Sequence, residues 1–191
     1  MDTLVAFLQS SNLVNYEKAT MIASHFTLKE MDKGDLHLTA GKISDEYFFL
    51  EKGFMRAFAH DTEGNEVTTN FYGDKQVVFE VSSFFNRIAS RENFQCLGDC
   101  RGWALSYADL NMLFHTLPEF RDFGRAMLVK GFSSLKTRML SMITETAEQR
   151  YHGLLEQRPE IFHHAPLKNI ASYLGVTDTS LSRIRKEFSK K

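Results

Sequence analysis

The chain has 191 residues, 43% of them hydrophobic and 13% aromatic, enough for a substantial apolar core and for one large domain with a small one, or two modest ones. Its formal net charge of −1 excludes a uniformly basic nucleic-acid binder, and its two cysteines exclude a disulfide-stapled scaffold. No apolar run approaches the ~20 residues that span a bilayer. The N-terminal apolar patch follows Asp2 and has no Lys or Arg before Lys18, so it does not read as a signal peptide, and a cytoplasmic protein without a membrane partner is expected.

Leu4, Phe7 and Leu8, then Ala19, Ile22, Ala23 and Phe26, recur at helical spacing over residues 3–26. Ser10-Ser11-Asn12 divides them into two short helices. From Leu28 to about Ser106, short apolar runs alternate with Gly, Asp and Asn clusters. Strands are predicted at 47–50, 54–59, 66–72, 76–79, 94–97 and 102–105, with a hairpin loop at Asp61–Asn65 and a helical turn at Ser82–Phe85. This is the pattern of an antiparallel sandwich or roll. Cys96 and Cys100 form a lone C-x3-C pair, short of a zinc ligand set, and are expected to be buried free thiols.

Ser106, with Asp109 three residues on, starts a helix carrying Leu110, Leu113 and Phe114. Pro118 opens another, which runs without internal proline to about Thr144. Leu128, Phe132, Leu135, Met139 and Met142 step along it at heptad spacing, the mark of a helix that packs on a second copy of itself. A second stripe, Phe120, Phe123 and Met127, is free to pack on the sheet. Thr146 with Gln149 forms a capping-box pattern for a helix that Pro159 ends, and residues 161–164 read as a linker.

Residues 165–186 (APLKNIASYLGVTDTSLSRIRK) read as two helices joined by a tight turn. Ile170, Ala171 and Leu174 form one apolar face and Leu181, Ile184 and Phe188 another. Gly175 stands where the turn needs positive φ, and Thr177 or Asp178 is positioned to cap the second helix. This is a helix-turn-helix. Residues 165–191 carry six Lys/Arg against two Asp/Glu, so positive charge is gathered here for phosphate contact. Thr179, Ser182, Arg183 and Lys186 face outward. Thr177, Thr179, Ser180 and Ser182 suit bases or phosphates, and Lys168, Arg185 and Lys186 suit phosphates.

A leading helix pair, a Phe-rich roll with YFFLEKG, a long helix, AEQRYHGLL and IASYLGVTDTSLSRIRK, in that order, resemble the Crp/Fnr family of bacterial transcription regulators. The resemblance implies an α+β architecture: an N-terminal antiparallel β-roll (jelly-roll, of the cyclic-nucleotide-binding type) with flanking helices over 1–117, a dimerisation helix over 118–144, and an all-α helix-turn-helix domain over 145–191. It implies a homodimer on double-stranded DNA, with RNA polymerase and a small-molecule effector as further partners. It places Arg183 where the family reads a guanine, as a bidentate Arg does.

Two departures stand out. Nucleotide-binding members carry Gly-Glu, then Arg-Ser-Ala about ten residues on. Here the pair is Phe79-Glu80, and Ser90-Arg91-Glu92 follow. Glu80, Ser90 and Arg91 are the candidate ligand residues, but Phe79 fills space, Arg91 is displaced by one position and Glu92 repels phosphate. A degenerate pocket is expected, with no cofactor assigned. The family also adds a β-hairpin wing after the recognition helix, and none is expected before Lys191. The alternative is a dimeric sensor or interaction protein that no longer binds DNA specifically. An enzyme is not expected: the histidines (His25, His37, His60, His115, His152, His163, His164) suggest no metal site, and no nucleophile triad or phosphate-binding glycine loop is present, so no catalytic residue is assigned.

Overall fold

The computed structural model describes residues 1–188, and of Phe188 only the backbone. The expectation for the Phe188 side chain and the charges of Lys190 and Lys191 lie outside the described residues. Helices α1 (Asp2–Gln9) and α2 (Tyr16–Ala23) lead into the strands β1 (Thr27–Met31), β2 (Leu36–Leu38), β3 (Glu46–Lys52), β4 (Met55–His60), β5 (Glu66–Tyr72) and β6 (Gln76–Val78). Helix α3 (Val81–Asn86) connects these to β7 (Asn93–Cys96) and β8 (Cys100–Ser106). Then come α4 (Tyr107–Thr116), α5 (Pro118–Thr144), α6 (Ala147–Gln157), α7 (Glu160–His164), α8 (Leu167–Tyr173) and α9 (Asp178–Phe188).

Among the described residues the strands form two four-stranded antiparallel sheets, ordered β1-β8-β3-β6 and β2-β7-β4-β5. The fold class is thus α+β, an antiparallel roll followed by helices. The continuous apolar run of β3 has a simple cause. Side chains alternate across a strand, and both faces of this strand are covered. Phe48 and Leu50 point between the sheets, with Met55, Ala57, Phe94 and the free thiols Cys96 and Cys100. Tyr47 and Phe49 point the other way, into a layer made by α1, α2, α4 and the start of α5. There Phe120 and Phe123 are fully buried, Phe7 stacks on Phe49, and Phe120 stacks on Phe123. Burial of each such ring contributes roughly 1.5–3 kcal/mol. Gly102 permits the close approach of β8 to β3: a Cβ there would stand 2.2 Å from the Phe49 carbonyl oxygen.

Three expectations change. Two edge strands, β1 and β2, precede the first predicted strand. The expected linker at 161–164 is α7, held by fully buried Ile161. The third change concerns the C-terminal helices, which share a core with the roll: Phe54 of the β3–β4 turn and Phe71 of β5 pack with Tyr151, Ile161, Ile170, Ala171, Leu174, Leu181 and Ile184.

Candidate nucleic-acid interface and ligand pocket

Helix α8 ends by handing its last carbonyls to the turn. The Val176 N–H donates to Ala171 O at 3.0 Å and the Gly175 N–H to Ser172 O at 3.1 Å. This closure needs a left-handed residue, and Gly175 has φ 68°. The same glycine leaves room for Met142 of α5, whose Cε would lie 2.6 Å from a Cβ at that position. Thr177, rather than Asp178, caps α9: its Oγ1 accepts from the Ser180 N–H at 3.2 Å and lies 3.0 Å from the Ser180 hydroxyl. That hydroxyl is committed within the chain, which leaves Thr177 less to offer a partner.

Leu181 and Ile184 are buried, so α9 presents Thr179, Ser182, Arg183 and Lys186 to solvent. Ser180 is half-buried and Lys168 on α8 is exposed. Thr179, Ser182, Arg183 and Lys186 recur at helical spacing on the exposed face of α9, whereas Thr177, Ser180 and Lys168 line a cleft beside the β4–β5 hairpin. An Arg, a Lys and three hydroxyl side chains on an exposed helix suit a groove lined by base edges and phosphates.

The residues expected to hold a cyclic nucleotide, Glu80, Ser90 and Arg91, are engaged within the chain or turned to solvent. Glu80 caps α3, its carboxylate accepting from the Ser82 N–H at 3.1 Å and the Ser83 N–H at 2.5 Å. Ser90 is buried, and its hydroxyl donates to Glu92 O at 2.8 Å while accepting from the Glu92 N–H at 3.0 Å. Arg91 lies in the loop before β7 and is exposed. Phe79 packs against Tyr47, Phe84 and Phe85. A phosphate placed here would meet neither a free hydroxyl nor an inward guanidinium. Two open clefts lie elsewhere. One, of about 450 Å³, is lined by Lys29, His37, Ser44, Glu46 and Tyr107. The other, of about 970 Å³, runs between the β4–β5 hairpin and the α8–α9 turn.

On α5, Leu128, Phe132, Leu135, Met139 and Met142 are all exposed, Phe132 by 69%. Val129, Leu140 and Ile143, which heptad spacing alone does not select, widen the same apolar face.

Sequence reasoning missed a set of polar side chains between roll and C-terminal helices. Strand β5 is an edge of its sheet, and its register with β4 shifts at Thr69. Edge backbone groups need partners, and the C-terminal half supplies them. The Thr68 N–H donates to Ser172 Oγ at 3.1 Å, Thr69 O accepts from Arg138 Nη1 at 2.5 Å, and Phe71 O accepts from Arg158 Nη1 at 3.2 Å. Arg138 also donates to Tyr173 O at 3.0 Å and lies over the Tyr173 ring. Arg56, 4% exposed, donates to Gln95, Asn169 and Glu66 and lies over Phe58. His164 stacks on Phe54. No local pattern marks these residues, because the partners that Arg56, Thr68, Arg138 and Arg158 find across the seam are 35 to 113 positions away.

Residues 28–116 match the family described as cyclic nucleotide-binding domain. No curated protein matches the chain. Several solved structures share its fold at low identity. The c-di-GMP responsive global regulator CLP of Xanthomonas campestris is 15% identical, with a TM-score of 0.73 over 92% of this chain and 92% of that one. FixK2 from Bradyrhizobium japonicum is 16% identical, with a TM-score of 0.75 over 86% and 85%. A protein from Eubacterium rectale assigned to the Crp/Fnr family of transcriptional regulators is 14% identical, with a TM-score of 0.72 over 96% and 88%.

Proposed function

We propose that this chain, which has the fold of the Crp/Fnr transcription regulators with a cyclic-nucleotide-binding-type roll at residues 28–116, is itself a homodimeric, sequence-specific DNA-binding regulator of the cytoplasm. In this reading residues 1–117 are the sensor, 118–144 the dimer helix and 145–191 the reader of DNA. The observation that carries it is the α8–turn–α9 unit, closed at Gly175 and presenting Thr179, Ser182, Arg183 and Lys186 together on one exposed face. Arg183 is assigned to a base edge, Lys168 and Lys186 to phosphates, and Ser180 and Ser182 to either.

The second copy sits on the apolar face of α5. Phe132 and Ile143, 69% and 73% exposed, are covered by the equivalent helix, and two α9 helices then address half-sites about 34–36 Å apart. The signal assigned in this reading is a ligand other than a cyclic nucleotide: Glu80 and Ser90 are hydrogen-bonded within the chain and Arg91 is exposed.

The test is binding to a mixed-sequence duplex, followed by fluorescence anisotropy at increasing salt. Affinity falling steeply with salt supports the reading, since each neutralised phosphate releases counterions. No binding at low salt contradicts it and favours a sensor without DNA affinity.

A further inference from the structure

We propose that Cys96 and Cys100 are a reversible dithiol–disulfide couple, closed across the β7–β8 turn by a hydroperoxide and opened again by a thiol reductant.

Cys96 ends β7 and Cys100 begins β8, with Leu97, Gly98 and Asp99 between them. The turn crosses from one sheet to the other: Cys96 stands opposite Met55 of β4, and Cys100 opposite Met31 of β1. Both side chains enter the same space between the sheets, 1% and 3% exposed, and the two thiols are hydrogen-bonded to each other. They are the only cysteines of the chain. Burial keeps a second copy away, so each thiol has one available partner, the other. Gly53, at φ 130°, leaves room beside the pair: a Cβ there would stand 2.8 Å from Cys100 Sγ.

The two sulfurs are not equivalent. The Cys100 S–H is within hydrogen-bond reach of Gly98 O at 3.3 Å and Phe54 O at 3.7 Å. The bond from the Cys96 thiol holds the Cys100 thiol below its ordinary pKa. That same bond, with burial, pushes Cys96 up. Cys100 is therefore the nucleophile and Cys96 the resolving thiol.

The Cys100 thiolate attacks one peroxide oxygen and the O–O bond breaks. The departing hydroxide takes up the proton that Cys100 released and leaves as water. Cys96 sulfur then attacks the sulfur of the Cys100 sulfenic acid. The S–O bond breaks, and the Cys96 proton leaves with that hydroxide as a second water. Two thiols have lost two electrons, and one peroxide has become two waters. A dithiol reductant restores both thiols by exchange and is itself oxidised. A resolving thiol already in contact closes the disulfide before a second peroxide can carry Cys100 to the sulfinic acid. Asp99 is exposed and Leu97 and Gly98 half-buried, so the pair lies one turn beneath the surface, and local opening of that turn admits peroxide.

The test treats the folded full-length chain with one equivalent of hydrogen peroxide. Remaining thiols are then alkylated in denaturant and the intact mass is read. A chain lighter by two hydrogens and free of alkyl groups, a Cys96–Cys100 cross-link in the peptide map, and recovery of both thiols with dithiothreitol support the proposal. Two alkylated thiols after peroxide overturn it, because the folded pair is then inert. A disulfide between chains, or a sulfinic acid in place of the disulfide, overturns it too. These readings come from the parent chain, whatever the folding of any variant. Cys96→Ser and Cys100→Ser, each checked by thermal unfolding, test the roles. Dimedone should capture a sulfenic acid at Cys100 in the first, and Cys96 in the second should react about tenfold or more slowly. Equal rates in two folded variants overturn the assignment of Cys100 as nucleophile.

Discussion

Arg56 Nη1 donates to Asn169 Oδ1 at 3.1 Å, across 113 positions of sequence, and both residues are buried. Four acceptor contacts and a ring surround this guanidinium, so its charge is neutralised where it lies. Removing it leaves Gln95 and Asn169 without their donor and Glu66 without its cation. We expect Arg56→Ala, which strips buried Asn169 and Gln95 of their donor, to destabilise more than Asn169→Ala, whose cost should be ~1–3 kcal/mol. Urea titration of both variants measures the two losses. Equal, small losses would mean that the bridge is not the anchor described.

The expected homodimer depends on the α5 face, and Phe132 is the place to break it. Its ring is 69% exposed within one chain, so Phe132→Glu should leave monomer stability within ~0.5 kcal/mol. Sedimentation should show dimer for the parent and monomer for the variant. A dimeric variant would place the second copy elsewhere.

Gly102 sets the spacing of β8 and β3. Gly102→Ala puts a methyl group 2.2 Å from the Phe49 carbonyl oxygen and 2.6 Å from Phe48 Cζ, where both strands are fixed by their ladder. A loss of at least ~1–3 kcal/mol is expected, read as a lowered thermal midpoint. An unchanged midpoint would show that the sheet yields more easily than its pairing implies.

His37 gives the fold a pH dependence. Burial, aided by Lys29 and opposed by Glu46, lowers its pKa from 6.5 to about 4. The unfolded chain then takes up a proton that the folded chain refuses between those values. Stability is full above about pH 6.5 and falls as pH drops towards 4. A shift of this size corresponds to a few kcal/mol, about 1.36 kcal/mol per unit. Chemical denaturation between pH 7 and 4 should show the loss, and His37→Gln should flatten it. A His37→Gln curve as steep as the parent's would assign the effect to other groups.

Much of the architecture is legible in the sequence because local rules govern it. Pro118 at the start and the absence of proline within the helix mark α5, whose observed bounds are the expected ones. Thr146 and Gln149 form the expected capping box, and Gly175 takes the expected positive φ. Strands β1 and β2 are hidden because edge strands need little apolar alternation: Thr27–Met31 is largely exposed, and Leu36–Leu38 has three residues. Helix α7 is five residues long and carries a pair of histidines, too short for a period to show. The exposed side of α9 follows from helical spacing. Its closeness to Asp61 and Glu66 does not, since a hairpin and a turn more than a hundred residues apart meet only through the packing of α8 on β5.

The central claim is that α9 reads DNA through Arg183. A duplex selected from random sequence for binding to the parent protein should be titrated with parent and Arg183→Ala by fluorescence anisotropy, with thermal unfolding run on both. The account predicts that the exposed Arg183→Ala keeps its fold and loses ~1–3 kcal/mol of affinity for the selected duplex, with little change on random DNA. Equal affinity of parent and variant for the selected duplex would contradict it.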